Sequence, residues 1–262
     1  LEKNITSLQF PIIIKPVDLT GGKGIQRADS IEEAKNAFSI AMKKTRENYC
    51  IAEEFIEGSR HGFSCYICKE KVVFYFADNE QYFLNPYLVS GANTPSSSSR
   101  TTLEMLKKYS ERIAKKLHLV DGILHIQYIE KDNGIPFIIE VCRRSPGDLY
   151  IKLVQYATGI NYSKFIVMAE TGMDVSAILN APTQGFWLRH CIMASRTGII
   201  QQVSFAKEIQ DKVIEKFLWY KPGENVLDLL HYKAGIVFLK FQSEKEMAFY
   251  TEKISEYIKI EF

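Results

Sequence analysis

Two lysines around a knot of glycines, and a glutamine facing a glutamate with arginines just beyond, are the residues of this chain best suited to handle phosphate. In FPIIIKPVDLTGGKGI, residues 10–25, an apolar run ends at Lys15-Pro16, and Thr20-Gly21-Gly22-Lys23-Gly24 follows. Glycine brings no Cβ, so such a loop can present its backbone N–H groups and let a bulky anion approach closely. Flanking lysines add point charges for phosphate. Two familiar phosphate motifs are excluded by spacing. Ile25 follows Gly24, so there is no G-x-x-x-x-G-K-[ST], and no G-x-G-x-x-G opens a helix. Taken alone, the cluster reads more readily as a surface turn with solvated lysines.

The second set lies in GILHIQYIEKDNGIPFIIEVCRRSPGD, residues 122–148. Strands 122–129 and 136–141, joined by the turn Lys131-Asp132-Asn133-Gly134, place Gln127 on one strand and Glu140 on the other, where they can share one hard cation. Arg143 and Arg144 follow and would face a transferring phosphate or a substrate carboxylate. In isolation this is equally a hairpin tip with a surface Glu–Arg pair.

The elements that must position these groups follow from periodicity. Pro11 to Ile14 is a short β-branched strand stopped by Pro16. Ser30 caps a helix from Ile31 to about Arg46, with Glu33 completing a capping box. Tyr49 to Ala52 reads as a strand leading into Glu53-Glu54-Phe55-Ile56-Glu57-Gly58, and residues 63–67 and 72–77 as neighbouring antiparallel strands. Asn93 to Ser99 is a polar loop, flexible by composition. Thr101 to Leu117 is an amphipathic helix, residues 148–170 are helical with a break near Gly159, and short strands with one helix (244–257) occupy the rest. Mixed rather than alternating elements make the fold class α+β.

Composition bounds the rest. The 262 residues carry a net charge of +2 without a basic stripe, which speaks against nucleic acid. No apolar stretch reaches membrane-spanning length. Five cysteines without regular spacing suit a reducing cytoplasm better than a disulfide framework. Cys65 and Cys68 lie three apart in strand-like sequence and so point to opposite faces, as packing residues rather than zinc ligands. The chain opens at Leu1 with strand-forming sequence close behind, so a preceding segment is expected.

As an ordered set (Lys15, glycine loop, Glu53 to Gly58, Gln127, Glu140-x-Cys142-x-Arg144) these motifs resemble the ATP-grasp superfamily of carboxylate–amine and carboxylate–thiol ligases. The likeness is to the branch with biotin carboxylase, L-amino-acid ligases and formate-dependent phosphoribosylglycinamide transformylase, and it covers about residues 10–172. The resemblance implies two α+β lobes clasping ATP: a partial first lobe (1–58), a second lobe with the metal and phosphate site (59–175), and a small C-terminal subdomain (176–262), without the N-terminal substrate domain. It implies ATP and Mg²⁺, with Mn²⁺ as a substitute. Lys15 and Lys23 would contact phosphates under a lid of Thr20, Gly21, Gly22 and Gly24. Glu53 would accept from the adenine amino group, Glu54, Phe55 and Ile56 would read its edge, and His61 and Ile138 would line the nucleotide. Glu140 and Gln127 would hold the metal, and Arg144 with Lys15 would serve the transferring phosphoryl group.

The sequence departs from that pattern in three places. Gln127 stands where glutamate is usual, Cys142 where asparagine is expected, and Arg60-His61-Gly62 replaces an acidic ribose ligand after Gly58. A thiol is a poor Mg²⁺ ligand. The activity implied is an ATP-dependent ligase acting through an acylphosphate on small carboxylates and amines, cytoplasmic, with a homodimer possible. The alternative is a nucleotide-binding module, impaired in catalysis, that serves regulation or assembly. On the ligase reading, Gln127→Glu should tighten metal binding, and the glycine loop should be mobile without ligand.

Overall fold

The computed structural model of the protein describes Ile5, residues 7–178 and residues 181–262. Leu1, on which the expectation of a preceding segment rests, lies outside them. Contacts gather the chain into two units: residues up to Glu57 together with Tyr82–Val89, and Gly58–Gln81 together with Ser90–Phe262.

In the first unit β1 (Ile12–Pro16) runs between β2 (Gln26–Ala28) and β3 (Cys50–Glu54), antiparallel to both. Strand alternation buries Ile12 and Ile14 against Ala34, Ala37 and Ala41 of α1 (Ile31–Lys44). The opposite face is left to Ile13, Lys15, Arg27, Ile51 and Glu53, whose register pairs share a side of the sheet. Helix α1 starts where the capping signal puts it: Ser30 Oγ accepts the Glu33 N–H at 3.2 Å, and Glu33 reaches back to the Asp29 N–H at 2.8 Å. It stops at Lys44 rather than Arg46, because Thr45 turns extended and its hydroxyl donates to Asp18 at 2.6 Å. Asp18 also accepts the backbone and side-chain N–H groups of Arg46 at 3.0 Å. These donors, Thr45 foremost, hold its carboxyl down at about 2, so the exit of β1 is pinned to the end of α1.

The second unit is built on an eight-stranded sheet. Its strands are β4 (Ser59–Cys68), β5 (Lys71–Tyr82), β6 (Val89–Thr94), β7 (Gly122–Glu130), β8 (Pro136–Cys142), β9 (Phe186–Met193), β12 (Val213–Leu218) and β14 (Lys233–Phe241), in the order β12-β14-β9-β6-β5-β4-β7-β8. Short strands β10 (Gly198–Ile199), β11 (Gln202–Phe205), β13 (Asn225–Val226) and β15 (Ile258–Glu261) pair apart from it. Tyr66, Phe74, Phe76, Ile123 and Phe238 on one face pack on α3 (Tyr150–Thr158) and α4 (Tyr162–Glu170). The other face packs on α2 (Arg100–Lys116) through Phe63, Cys65 and Ile126, and toward β14 its core takes in Met247 of α5 (Glu244–Glu252). The sequence suggests a boundary at 175/176, yet β9, β12 and β14 share this sheet with β4 to β8.

Several local readings hold. Gly159, at φ +74, ends α3, and Cys65 and Cys68 are free, buried thiols in different cores. The serine-rich loop is tied down, contrary to its composition. Asn93 and Thr94 belong to β6, the Ser97 N–H donates to Asn79 Oδ1 at 2.8 Å, Ser98 Oγ lies 2.6 Å from the Tyr128 hydroxyl, and Ser99 caps α2. Polar side chains that find each other this way order a loop that low hydrophobicity alone would leave free.

Phe76 is 1% exposed and meets Tyr150 edge-on at 5.8 Å. Phe76→Ala is expected to cost about 3–5 kcal/mol, read as a lower urea midpoint with unchanged slope; a loss under 1 kcal/mol would contradict this packing.

Candidate active site

On the face of the first unit's sheet opposite α1, Lys15 forms an ion pair with Glu53. The two residues expected at the phosphates and at the adenine are therefore brought together. Arg27, one strand over and not foreseen in the sequence, lies 4.6 Å above the Phe55 ring and is held by Asp29 at 2.7 Å. Its only sequence signal is its place in the short strand behind the glycine loop. The Phe55 N–H donates to Pro11 at 2.9 Å, and Glu54 accepts the Gln9 N–H at 3.1 Å.

The glycine loop is braced rather than loose. Gly21, Gly22 and Gly24 take φ of +67°, +74° and +78°, which other residues adopt only under strain. A Cβ on Gly22 would stand 2.7 Å from Tyr87 Cβ. Buried Asn85 donates to the Gly21 carbonyl at 3.2 Å and accepts the Tyr87 N–H at 3.0 Å. Thr20 and Lys23 remain exposed.

In the second unit Gln127 and Glu140 are direct register partners, as are His125 and Cys142. A bulge follows at once: the next β7 residue, Tyr128, opposes Ile138, two positions back on β8. That offset turns Ile138 to the α2 face, where it packs beside Leu106 and Tyr128, and away from Glu140. Ile138, expected to line the nucleotide, therefore lies on the opposite side of the sheet from Glu140. His61, the other residue expected to line the nucleotide, is also placed on that side. It alternates to the same α2 face, stacks on Tyr128 at 5.2 Å, and bonds Ser59 Oγ at 2.7 Å. Burial lowers its pKa, as for a neutral packing residue.

The two arginines part company. Arg143 donates to the carbonyls of Ile123 and Val120 at 2.7 Å and clamps the start of β7. Arg144 stays exposed, with one bond to the Ser145 carbonyl at 3.1 Å. Burial raises the pKa of the Cys142 thiol, so it stays protonated and a poor partner for a hard cation. Arg189 is buried on the α3 face, His190 alternates to the opposite side, and Arg196 lies over Phe262.

Unforeseen polar groups surround Gln127. Its Nε2 donates to Glu80 Oε1 on β5 at 2.7 Å. The strand between is β4, and there Gly62 leaves room; a Cβ would stand 2.8 Å from Asp78 Oδ2. Asp78 is 1% exposed and accepts the Tyr150 hydroxyl at 2.7 Å. Burial first, and Glu80 second, push its carboxyl up to about 7. Arg189 also faces it and donates to the Asp148 carbonyl at 3.2 Å, while Lys233 meets the Asp148 carboxylate at 2.5 Å. Asp148 and Leu149 hold φ of +57° and +55°, a strain that such partners must sustain. His125 sits edge-on to Tyr150, its pKa driven to about 3 by burial and by Arg144 and Arg189. A polar Asp78 and Glu80 at the end of an apolar strand, with a glycine inside the next one, were the available sequence signals.

Among the described residues no three of His, Cys, Asp and Glu gather as a metal cluster. The pair Glu140 and Gln127 still supplies two hard oxygen donors on one sheet face, which suits Mg²⁺, a cation that takes few protein ligands.

Residues 8–152, more than half of the chain, match the ATP-grasp domain family, and the chain belongs to that family. The carbamoyl phosphate synthase large chain of Agathobacter rectalis is 25% identical over 194 residues, 71% of this chain and 18% of that protein. The same enzyme of Helicobacter pylori is 30% identical over 142 residues, 52% and 13% of the two chains. This chain therefore spans less than a fifth of these curated relatives. Among solved structures, L-amino acid ligase from Bacillus licheniformis superposes with a TM-score of 0.78 at 18% identity, over 100% of this chain and 66% of that one. Phosphoribosylglycinamide synthetase from Anaerococcus prevotii gives 0.71 at 23%, over 100% and 67%. The biotin carboxylase domain dimer of Hydrogenobacter thermophilus 2-oxoglutarate carboxylase, solved with MgADP, ADP and bicarbonate, gives 0.77 at 14%, over 99% and 59%. At these identities the structures establish the ATP-grasp fold.

Two consequences can be measured. Gly22→Ala is expected to cost about 1–3 kcal/mol through backbone strain and contact with Tyr87; an unchanged denaturation curve would mean that the loop does not hold this conformation. Asp78 protonates at about 7 when folded but near 3.8 unfolded. Its contribution to stability is full below the unfolded value and is lost as pH rises through about 7. Asp78→Asn, with Glu80, Arg189 and Tyr150 still facing it, should therefore remove part of the fall in melting temperature between about pH 5 and 8. Parallel curves for variant and parent would contradict that burial.

Proposed function

We propose that the protein is an ATP- and Mg²⁺-dependent ligase that activates a carboxylate as an acylphosphate and joins it to an amine. The observation that carries this reading is the register pair Gln127–Glu140 with Arg144 beyond it, in a chain of the ATP-grasp family. Phosphoryl transfer depends on positioning and charge neutralisation more than on a protein nucleophile, and the residues present are of that kind. Lys15 binds phosphate from the end of β1, exchanging Glu53 for the nucleotide. The backbone of Thr20 to Gly24 and the side chain of Lys23 cover the phosphates, while Glu53 to Ile56 read the adenine. Glu140 and the amide oxygen of Gln127 hold Mg²⁺. When bound, that ion neutralises phosphate charge. Arg144, free of carboxylate partners among the described ion pairs, balances charge on the transferring group. Cys142 and the neutral Gln127 favour a second reading, a nucleotide-binding module without turnover, which differs in releasing no phosphate when an acceptor is supplied.

Lys15→Ala removes a charge-assisted bond that contributes about 1.5–3 kcal/mol, so ATP affinity by calorimetry should fall at least tenfold while Ile12 and Ile14 keep the strand packed. Unchanged affinity would take Lys15 out of the site. Phosphate release by the full-length gene product across a panel of carboxylates and amines separates the two readings: acceptor-dependent release supports the ligase, and ATP binding without release across the panel supports the module.

A further inference from the structure

We infer that Glu80 is the positioning residue for the cation site: it fixes the Gln127 amide so that its oxygen is offered to the metal. This rests on the reading of Gln127 and Glu140 as metal ligands. The amide nitrogen of Gln127 donates to Glu80 Oε1 at 2.7 Å, and an amide carries its donors and its acceptor on opposite arms. The carbonyl oxygen of the same planar group is thereby turned away from β5. Without Glu80 the amide could flip and present two N–H groups to a cation, which repels it.

The fold is arranged to permit this reach. Gln127 and Asp78 both oppose Gly62 on β4, and Glu80 stands two residues beyond Asp78 on the same face. Only a strand position without a side chain lets the two chains meet over it, and Asp78 already fills the space a Cβ would take. Partners of this kind, behind a ligand, orient it and tune its affinity.

The pairing also reverses an expectation from sequence. Gln127→Glu would replace the hydrogen bond by two carboxylates 2.7 Å apart, a repulsive like-charge contact that no longer holds the residue 127 side chain in place, so it should weaken metal binding rather than tighten it. Exchanging both residues restores one donor, one acceptor and the original net charge.

The test is Mn²⁺ titration with ADP present, followed by electron paramagnetic resonance, on the parent, Glu80→Gln, Gln127→Glu, the double exchange Glu80→Gln/Gln127→Glu, and Glu140→Gln. Melting curves of each variant check the fold. Glu80→Gln should weaken Mn²⁺ binding by about 10–100-fold, Gln127→Glu should also weaken it, and the double exchange should return it to the parental value or better. If Glu80→Gln and Gln127→Glu bind Mn²⁺ as the parent does while Glu140→Gln loses it, the metal site stands and the role of Glu80 falls. If Glu140→Gln also binds as the parent does, the metal reading falls and takes this inference with it.

Discussion

The register of β7 against β8 is the constraint on which the second unit's chemistry depends. Antiparallel pairing fixes Gln127 opposite Glu140, and a bulge one residue later sends Ile138 to the other side of the sheet. Without that bulge the pairing would keep Ile138 and Glu140 on one face, since strand positions two apart share a side. With it, oxygen donors gather on the α3 face and the apolar residue joins the core under α2. Bulges of this kind are a common device for re-aiming a side chain beside a functional site. The same face then acquires its polar surroundings from strands far apart in sequence: Asp78 and Glu80 from β5, His125 from β7 and Arg189 from β9.

That polar surrounding is held at a cost visible in the geometry. Asp78 is buried with an orphaned Oδ1, and Arg189 Nε and His125 Nδ1 also lack partners among the described residues. Asp148 and Leu149 adopt backbone angles that their side chains resist. Low dielectric strengthens the bonds that are made and penalises those that are missing. Such an arrangement favours a fixed constellation of charge over stability.

Much of this was legible in the sequence because it is local. The glycine loop, the Ser30 cap, the break at Gly159 and the hairpin Gln127–Glu140 follow from residues within a few positions of each other. What is not legible is non-local. Motif order does not give the faces of His61 and Ile138, which are set by strand alternation and by a bulge that one strand's sequence does not announce. The Asn93 to Ser99 loop looked flexible, since Asn79 and Tyr128, which order it, lie outside the segment. Arg27, Asp78, Glu80 and Asn85 escaped notice for the same reason: each matters through a partner on another strand or loop.

Whether Glu140 and Gln127 hold a cation is measured directly by a crystal structure of the protein with MgADP. The expected result is Mg²⁺ bound by the Glu140 carboxylate and the Gln127 amide oxygen, at about 2.0–2.1 Å from each, with Lys15 moved from Glu53 to phosphate. Nucleotide bound with its Mg²⁺ away from Glu140, and with Lys15 still paired to Glu53, would contradict it.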